Sequence, residues 1–182
     1  KNYDFYFVNS FNLNKSFTNK FEKPFNTKLL PEKMKKFSEI QMSQELKFFE
    51  LINPKISFDF LLAIYLSVFK RQKWNQNINE EDSLKVKKIK SKDWISSFEN
   101  TCLHIKIFTK AFKRSKVFIN KDPLSVNLSG TRDWSDNYYF LEIVRLPEML
   151  DFYRQNGMNF FNYIKCKNFA LRNFINYFGK IY

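Results

Sequence analysis

The stretch from Val126 to Arg154, VNLSGTRDWSDNYYFLEIVRLPEMLDFYR, decides the fold class of this 182-residue chain. Its first residues alternate, with Val126 and Leu128 apolar and their neighbours polar, which predicts a strand. From Trp134 to about residue 154 the apolar spacing becomes helical, and Pro147 is expected to bend or interrupt the helix. A strand leading into a long helix indicates a fold that mixes both elements.

On the N-terminal side of this stretch, the apolar pattern predicts alternating helices and strands. Pro31 can open a helix that runs to about residue 52, and a strand follows over about 55–66. Residues 70–83 are polar and predict a loop, and residues 84–100 predict a second helix with a lysine-rich outer side. Leu103, Ile105 and Ile107 alternate with other residues, which predicts a strand over 103–108.

The two ends of the chain complete the predicted organisation. Asn156-Gly157 is expected to end the long helix, and alternating aromatic and polar residues over 168–178 predict a final strand. Residues 1–30 lack clean periodicity, which predicts an irregular extension that lies on a partner or forms a partly disordered arm. The sequence therefore predicts an α+β domain over 31–182, an antiparallel sheet with helices packed on one face, preceded by an irregular N-terminal extension.

Composition points to a polyanionic partner. Thirty-one Lys and Arg against eighteen Asp and Glu give a formal net charge of +13. Such an excess favours nucleic acid, because cations that neutralise phosphates release counterions from the polymer. The chain also has 23 Phe and 20 Asn but only 3 Gly and 6 Arg, a bias typical of an A/T-rich genome such as a mitochondrial one.

The residue types needed for catalysis or cofactor binding form no recognisable set. Cys102 and Cys166 are too few and too far apart for a disulfide framework or a metal site, so both are expected to be reduced. His104 lies in the predicted strand, where a structural role is more common than a catalytic one. Three glycines cannot form a phosphate-cradling loop. We therefore expect no catalytic residues, no metal and no cofactor, and the chain is not predicted to be an enzyme.

The longest apolar run, Ile56 to Phe69, has 14 residues and contains Asp59. A membrane-spanning helix needs about 20 apolar residues, so this run predicts a buried core element and no membrane insertion. The N-terminus shows neither a signal-peptide apolar region nor an arginine-rich presequence. This is compatible with synthesis inside an organelle.

One segment concentrates positive charge. No acid occurs between Glu99 and Asp122. Six cations fall in this interval: Lys106, Lys110, Lys113, Arg114, Lys116 and Lys121. Like charges at this density are poorly tolerated unless a polyanion neutralises them, so the segment is predicted to be a basic loop that contacts RNA.

Several short motifs follow one another along the chain: Pro54-Lys55-Ile56; Thr109-Lys110-Ala111 with Lys113; Val126, Leu128, Gly130, Arg132 and Trp134; Leu146-Pro147; Asp151-Phe152; and Asn168-Phe169 with Arg172 and Ile175. In this order they resemble the universal large-subunit ribosomal protein family five, which lies in the central protuberance. The resemblance covers roughly residues 45–182, and its strength is the ordered agreement rather than any single motif.

The resemblance implies a structural protein of the large ribosomal subunit, placed by composition in the mitochondrial matrix. It implies that Lys110, Arg132 and Arg154 contact large-subunit rRNA, and that Arg172, on the late strand, is a further RNA contact. It also implies a basic loop that faces peptidyl-site tRNA and includes the cations Lys113, Arg114, Lys116 and Lys121. Neighbouring mitoribosomal proteins and a small-subunit head protein are the implied protein partners.

The chain departs from the family pattern at several positions, and these departures argue against a contact with 5S rRNA. Leu62-Ala63-Ile64 stands where the family's first strand typically ends in Asn-Met-Gly, and Asn127 and Ser129 replace the usual Thr and Arg. Polar residues expected to meet 5S rRNA are thereby lost. Two other classes stay open: an accessory subunit of a mitochondrial membrane complex, favoured by the apolar run, and a free organellar RNA-binding factor.

Overall fold

The structure is a computed structural model that describes residues 2–14, 18–21, 23–37, 39–57, 64–79, 97–129 and 138–178. Within them the chain forms an α+β fold built on a four-stranded open sheet, which confirms the predicted class. The strands lie in the order β2-β4-β1-β3 across the sheet. Their bounds are β1 Phe5–Asn14, β2 Gln44–Lys47, β3 Ser67–Phe69 and β4 Lys116–Ser129.

The sheet is mixed. β1 pairs antiparallel with β3, and β2 pairs antiparallel with β4, as the predicted antiparallel sheet requires. The central pair differs, because β1 and β4 run parallel. Their register shifts on either side of Asn9, where β4 contributes extra residues between Asn120 and Ser125.

The N-terminal segment corrects the prediction of an irregular extension over residues 1–30. Phe5–Asn14 is a strand in the interior of the sheet, with a neighbour on each side. Its side chains alternate as a strand requires, and Phe5, Phe7, Phe11 and Leu13 are buried on one side. This burial makes the segment part of the folded core.

Besides the single α-helical turn Tyr138–Phe140, the described residues form five α-helices, and two of them replace predicted strands. Residues 103–108 lie within a helix because Cys102, Ile105 and Phe112 form a buried stripe at helical spacing. Residues 168–178 are also helical, since Cys166 and Ala170 face the core four residues apart. The bounds are α1 Pro54–Ser57, α2 Arg71–Asn77, α3 Phe98–Phe112, α4 Leu146–Gln155 and α5 Phe160–Phe178.

Other element predictions fail in the described part of the chain. The helix expected over residues 31–52 is replaced by short 3-10 turns and β2, because this backbone bonds to the sheet instead; the amide of Lys36, for example, donates to the carbonyl of Ser10 at 2.8 Å. Within the strand expected over 55–66, the described ends are α1 and a 3-10 turn, and 58–63 lie outside the described residues. The loop expected over 70–83 contains α2. The helix expected over 84–100 is described only from residue 97.

The stretch Val126–Arg154 is largely as predicted in its described part, and residues 130–137, with the expected helix start at Trp134, lie outside the described residues. β4 confirms the strand, and residues 138–155 confirm the helix, which enters α4 through a π-helical turn at Leu141–Arg145. That turn ends just before Leu146-Pro147, the point where a bend was expected. Asn156-Gly157 ends the helix as predicted, because Gly157 adopts a φ of 111° and the amide of Met158 returns to the carbonyl of Tyr153 at 3.0 Å.

The core lies between the sheet and α3. Phe5 from β1 and Phe112 from α3 meet with ring centroids 5.1 Å apart, and Phe48, Phe69 and Phe108 surround them. This aromatic cluster fixes the end of α3 against β1, and β1 pairs with the start of β4. The exposed residues between α3 and β4 are therefore held in place at both ends.

Candidate nucleic-acid interface

The turn between α3 and β4 exposes its cations and buries the residues around them. Phe112, Ser115 and Val117 are buried, and the amide of Ser115 donates to the carbonyl of Phe112 at 2.8 Å. With these residues held inside, the intervening side chains of Lys113 and Arg114 point to solvent. Burial of Phe112, Ser115 and Val117 therefore leaves Lys113, Arg114 and Lys116 exposed.

A groove of about 730 Å³ lies beside this turn. Its walls come from the start of β1, from β2, from α2 and from the α3–β4 turn, segments far apart in sequence. Five cations line it, together with the carboxylates of Asp4 and Glu45: Lys73, Lys110, Lys113, Arg114 and Lys116.

Each of the two carboxylates forms ion pairs at its own side of the groove. Asp4 contacts the ammonium groups of Lys70, at 2.9 Å, and Lys73. Hydrogen bonds from Lys73 and then from Lys70 lower the pKa of Asp4 to about 2. On the other side, Lys116 lies 2.7 Å from Glu45, and this hydrogen bond raises the pKa of Lys116.

The remaining cations face outward. Lys110, Lys113 and Arg114 are exposed, and the side chains of Lys113 and Arg114 form no ion pair with any described residue. A local excess of positive charge is thus presented at the rim of the groove, where an anionic ligand can meet it without breaking an internal salt bridge.

Asp4→Asn is expected to lower the free energy of unfolding at neutral pH by about 1–2 kcal/mol, an amount reduced by the partial exposure of the site. Because the folded pKa of Asp4 is depressed to about 2, the ion pairs stabilise the protein above the unfolded pKa near 4 and are lost as pH falls towards 2. Urea unfolding of both proteins between pH 7 and pH 2 measures this. Wild type and variant should converge at the acid end, and parallel curves would contradict the assignment.

Aromatic side chains lie on the sheet face opposite α3. Tyr6 and Phe118 are cross-strand partners, and Tyr3 stacks on Phe118 with ring centroids 5.2 Å apart and planes 26° apart. Tyr3 also donates its hydroxyl to Glu45 at 3.0 Å, which ties this face to the groove. Aromatic rings beside cations are the combination that binds unpaired nucleotides by stacking and by phosphate contacts.

No family model, curated protein or solved structure matches this chain. The ribosomal resemblance therefore stays a prediction. Among the described residues, no group of His, Cys, Asp and Glu is arranged to hold a metal ion, and none of the helices is long and apolar enough to cross a lipid bilayer. Cys102 and Cys166 are buried free thiols.

The structure brings together four of the nine predicted RNA-binding residues. Lys110, Lys113, Arg114 and Lys116 share the groove, although they lie on a helix end, a turn and a strand instead of the predicted loop. The loop prediction is wrong because α3 and β4 leave only a short turn between them.

The other predicted residues lie elsewhere. Lys106 on α3 pairs with Glu99, and Lys121 is exposed where the β1–β4 register shifts. Arg154 donates to the carbonyl of Met158 at 3.1 Å, and Arg172 is exposed on α5. Arg132 lies outside the described residues.

Sequence reasoning missed Lys73, Tyr6 and Phe118. Lys73 lies in a segment predicted to be a loop, and Tyr6 lies in the predicted extension. Alternation of Phe5, Tyr6 and Phe7 was the available signal for a strand with an aromatic outer face.

Proposed function

We propose that this protein is a structural RNA-binding protein of the mitochondrial large ribosomal subunit, a divergent member of universal large-subunit family five. The observation that carries the proposal is the convergence of Lys110, Lys113, Arg114 and Lys116 on one groove. Its proposed partners are large-subunit rRNA, peptidyl-site tRNA, neighbouring mitoribosomal proteins and a small-subunit head protein.

The charge arrangement supports RNA over other anions. The groove cations come from α2 and from residues 110–116 and lie along an open surface, whereas a site for a small anion would enclose it. The adjoining Tyr6 and Phe118 add ring surface that a base can stack on. The formal charge of +13 extends the attraction over the rest of the surface.

One stretch of the chain supports the family. β4 is followed in sequence by the helix of residues 138–155, with Leu146-Pro147 at the start of α4, and these elements carry part of the motifs on which the resemblance rests. The groove residues Lys110 and Lys113 belong to another of the motifs, Thr109-Lys110-Ala111 with Lys113. The motifs at Pro54 and Asn168 lie on helices, where the resemblance implies strands.

Removing the outward cations tests the groove. The double variant Lys113→Ala with Arg114→Ala is expected to reduce the salt slope of binding to a fluorescent hairpin RNA by roughly 1.5 units, because two phosphate contacts are lost. Affinity near 50 mM salt should fall about tenfold. Fluorescence anisotropy over a salt series measures both quantities.

The matched control removes the same number of positive charges from the 3-10 turns that follow β1 in the chain. Lys28 and Lys33 are exposed, and Lys28→Ala with Lys33→Ala should change the slope less. Equal slopes for the two double variants would mean that only net charge matters, and would remove the groove from the proposal.

Sedimentation of a mitochondrial lysate tests the ribosomal part. The protein should comigrate with large subunits after a high-salt wash and leave that position on RNase treatment. Release by moderate salt alone would favour a free RNA-binding factor. Sedimentation with membranes, unaffected by RNase, would favour an accessory subunit of a membrane complex.

A further inference from the structure

The outer face of α5 carries large apolar side chains that the protein does not bury. Phe161 is 81% exposed, Leu171 57% and Ile175 67%, and Ile164 is also exposed. The opposite side of the helix already packs on the core through Cys166 and Ala170. An apolar face this long on a single helix marks an interaction surface.

The spacing of this face is that of a coiled-coil seam. Phe161, Ile164, Asn168, Leu171 and Ile175 are separated alternately by three and four residues, which places them at successive a and d positions of a heptad repeat. We name these five residues the α5 seam. Asn168 is exposed and occupies an a position, where a single asparagine sets the register between paired helices.

Cations flank the seam. Lys165 and Arg172 occupy the e positions, both are exposed, and from residue 152 to residue 182 the sequence contains no acid. Lys165 donates to the amide oxygen of Asn53 at 3.0 Å, so its charge is not neutralised by that contact. Lys167, at a g position, already pairs with Asp151 at 2.8 Å.

We propose that the α5 seam binds an acidic amphipathic α-helix of a partner protein. The partner helix presents an apolar a/d stripe, a polar side chain opposite Asn168, and carboxylates opposite Lys165 and Arg172. This contact is separate from the RNA groove and does not depend on it.

Charge and polarity exclude the other occupants. A second copy of the chain, paired antiparallel, would place the e-position cations Lys165 and Arg172 against one another, and a parallel pair would gain no opposite charges. A bilayer would surround Asn168, in the middle of the seam, with hydrocarbon that offers its amide no hydrogen bond. RNA would leave the aliphatic side chains of Ile164, Leu171 and Ile175 without a matching apolar surface.

The test uses the full chain and two synthetic helical peptides with isoleucine at a, leucine at d and one central asparagine. One peptide carries glutamate at e and g, and the other carries lysine. The glutamate peptide should bind at least ~tenfold more tightly, by anisotropy of a labelled peptide. The double variant Lys165→Glu with Arg172→Glu should reverse the preference.

Two single variants separate the seam from general exposure. Leu171→Asp should weaken binding of the glutamate peptide at least ~tenfold, because a carboxylate cannot enter an apolar seam. Leu124→Asp changes a residue of similar exposure, 65%, on β4 and should have no effect. Circular dichroism checks that both remain folded.

Equal binding of the two peptides, or binding that Leu171→Asp leaves intact, would overturn the proposal. Self-association of the protein that Leu171→Asp abolishes would also overturn it and assign the α5 seam to a second copy. Binding to phosphatidylglycerol vesicles without binding to the glutamate peptide would overturn it and assign the α5 seam to a lipid surface.

Discussion

Phe5→Ala is expected to lower the free energy of unfolding by about 3–5 kcal/mol, the range for removing a large aromatic side chain from a packed core. The Phe5 ring is fully buried, and its centroid lies 5.1 Å from that of Phe112 and 5.3 Å from that of Phe108. These contacts join β1 to α3, so the cavity would open at the main interface between sheet and helix. Chemical denaturation measures the loss as a lower midpoint with an unchanged slope.

The adjacent residue supplies the control. Tyr6 lies next in β1 and points to the other face of the sheet, where it is only partly buried. Tyr6→Ala should therefore cost only about 1 kcal/mol. Small and equal losses for the two variants would mean that residues 1–30 are the arm predicted from the sequence and contribute nothing to the core.

The difficulty of predicting β1 has a physical cause. Its main partner, β4, lies more than a hundred residues away, so no local hairpin signal marks the strand. The buried positions do alternate, but polar Asn9 interrupts them, and Val8 adds an apolar residue to the opposite face. The period of two is present in the sequence and is obscured at these two positions.

α3 and α5 were predicted as strands for the opposite reason, because their sequences show an apparent period of two that the helices do not follow. In α3, Leu103, Ile105 and Ile107 alternate, yet Cys102, Ile105 and Phe112 also fit a helix. Length decides between the two, since a stripe sustained over 15 residues exceeds a typical strand. In α5, exposed apolar residues at the seam add to the buried ones and produce an apparent alternation.

The candidate site was predictable only where its residues are close in sequence. The density of cations between Glu99 and Asp122 predicted one group of six, of which Lys110, Lys113, Arg114 and Lys116 share the groove, while Lys106 and Lys121 lie elsewhere. Their neighbours Asp4 and Lys73 are brought in by β1 and α2, and only the tertiary fold places them there.

The side chain of Asn9 joins β1 to β4 and to the segment at Phe37 through hydrogen bonds. It is fully buried, and its amide nitrogen donates to the carbonyls of Lys121, at 2.9 Å, and Phe37, at 3.1 Å. Its amide oxygen accepts from the backbone of Ser10 at 2.8 Å and of Phe37 at 3.3 Å. One side chain thus satisfies backbone groups of three segments where the β1–β4 register shifts.

Asn9→Asp is expected to cost about 3–5 kcal/mol at neutral pH, because both donors are lost and a buried carboxylate faces two carbonyl oxygens. Burial without a cation raises the pKa of the introduced carboxyl in the folded protein, so the deficit grows as pH rises above the unfolded value near 4 and shrinks below it. Chemical denaturation at pH 7 and pH 4 measures both effects. Asn12→Asp changes an exposed asparagine of the same strand and should cost under about 0.5 kcal/mol. Similar costs for the two variants would contradict the buried role of Asn9 and, with it, the register of β1 on β4.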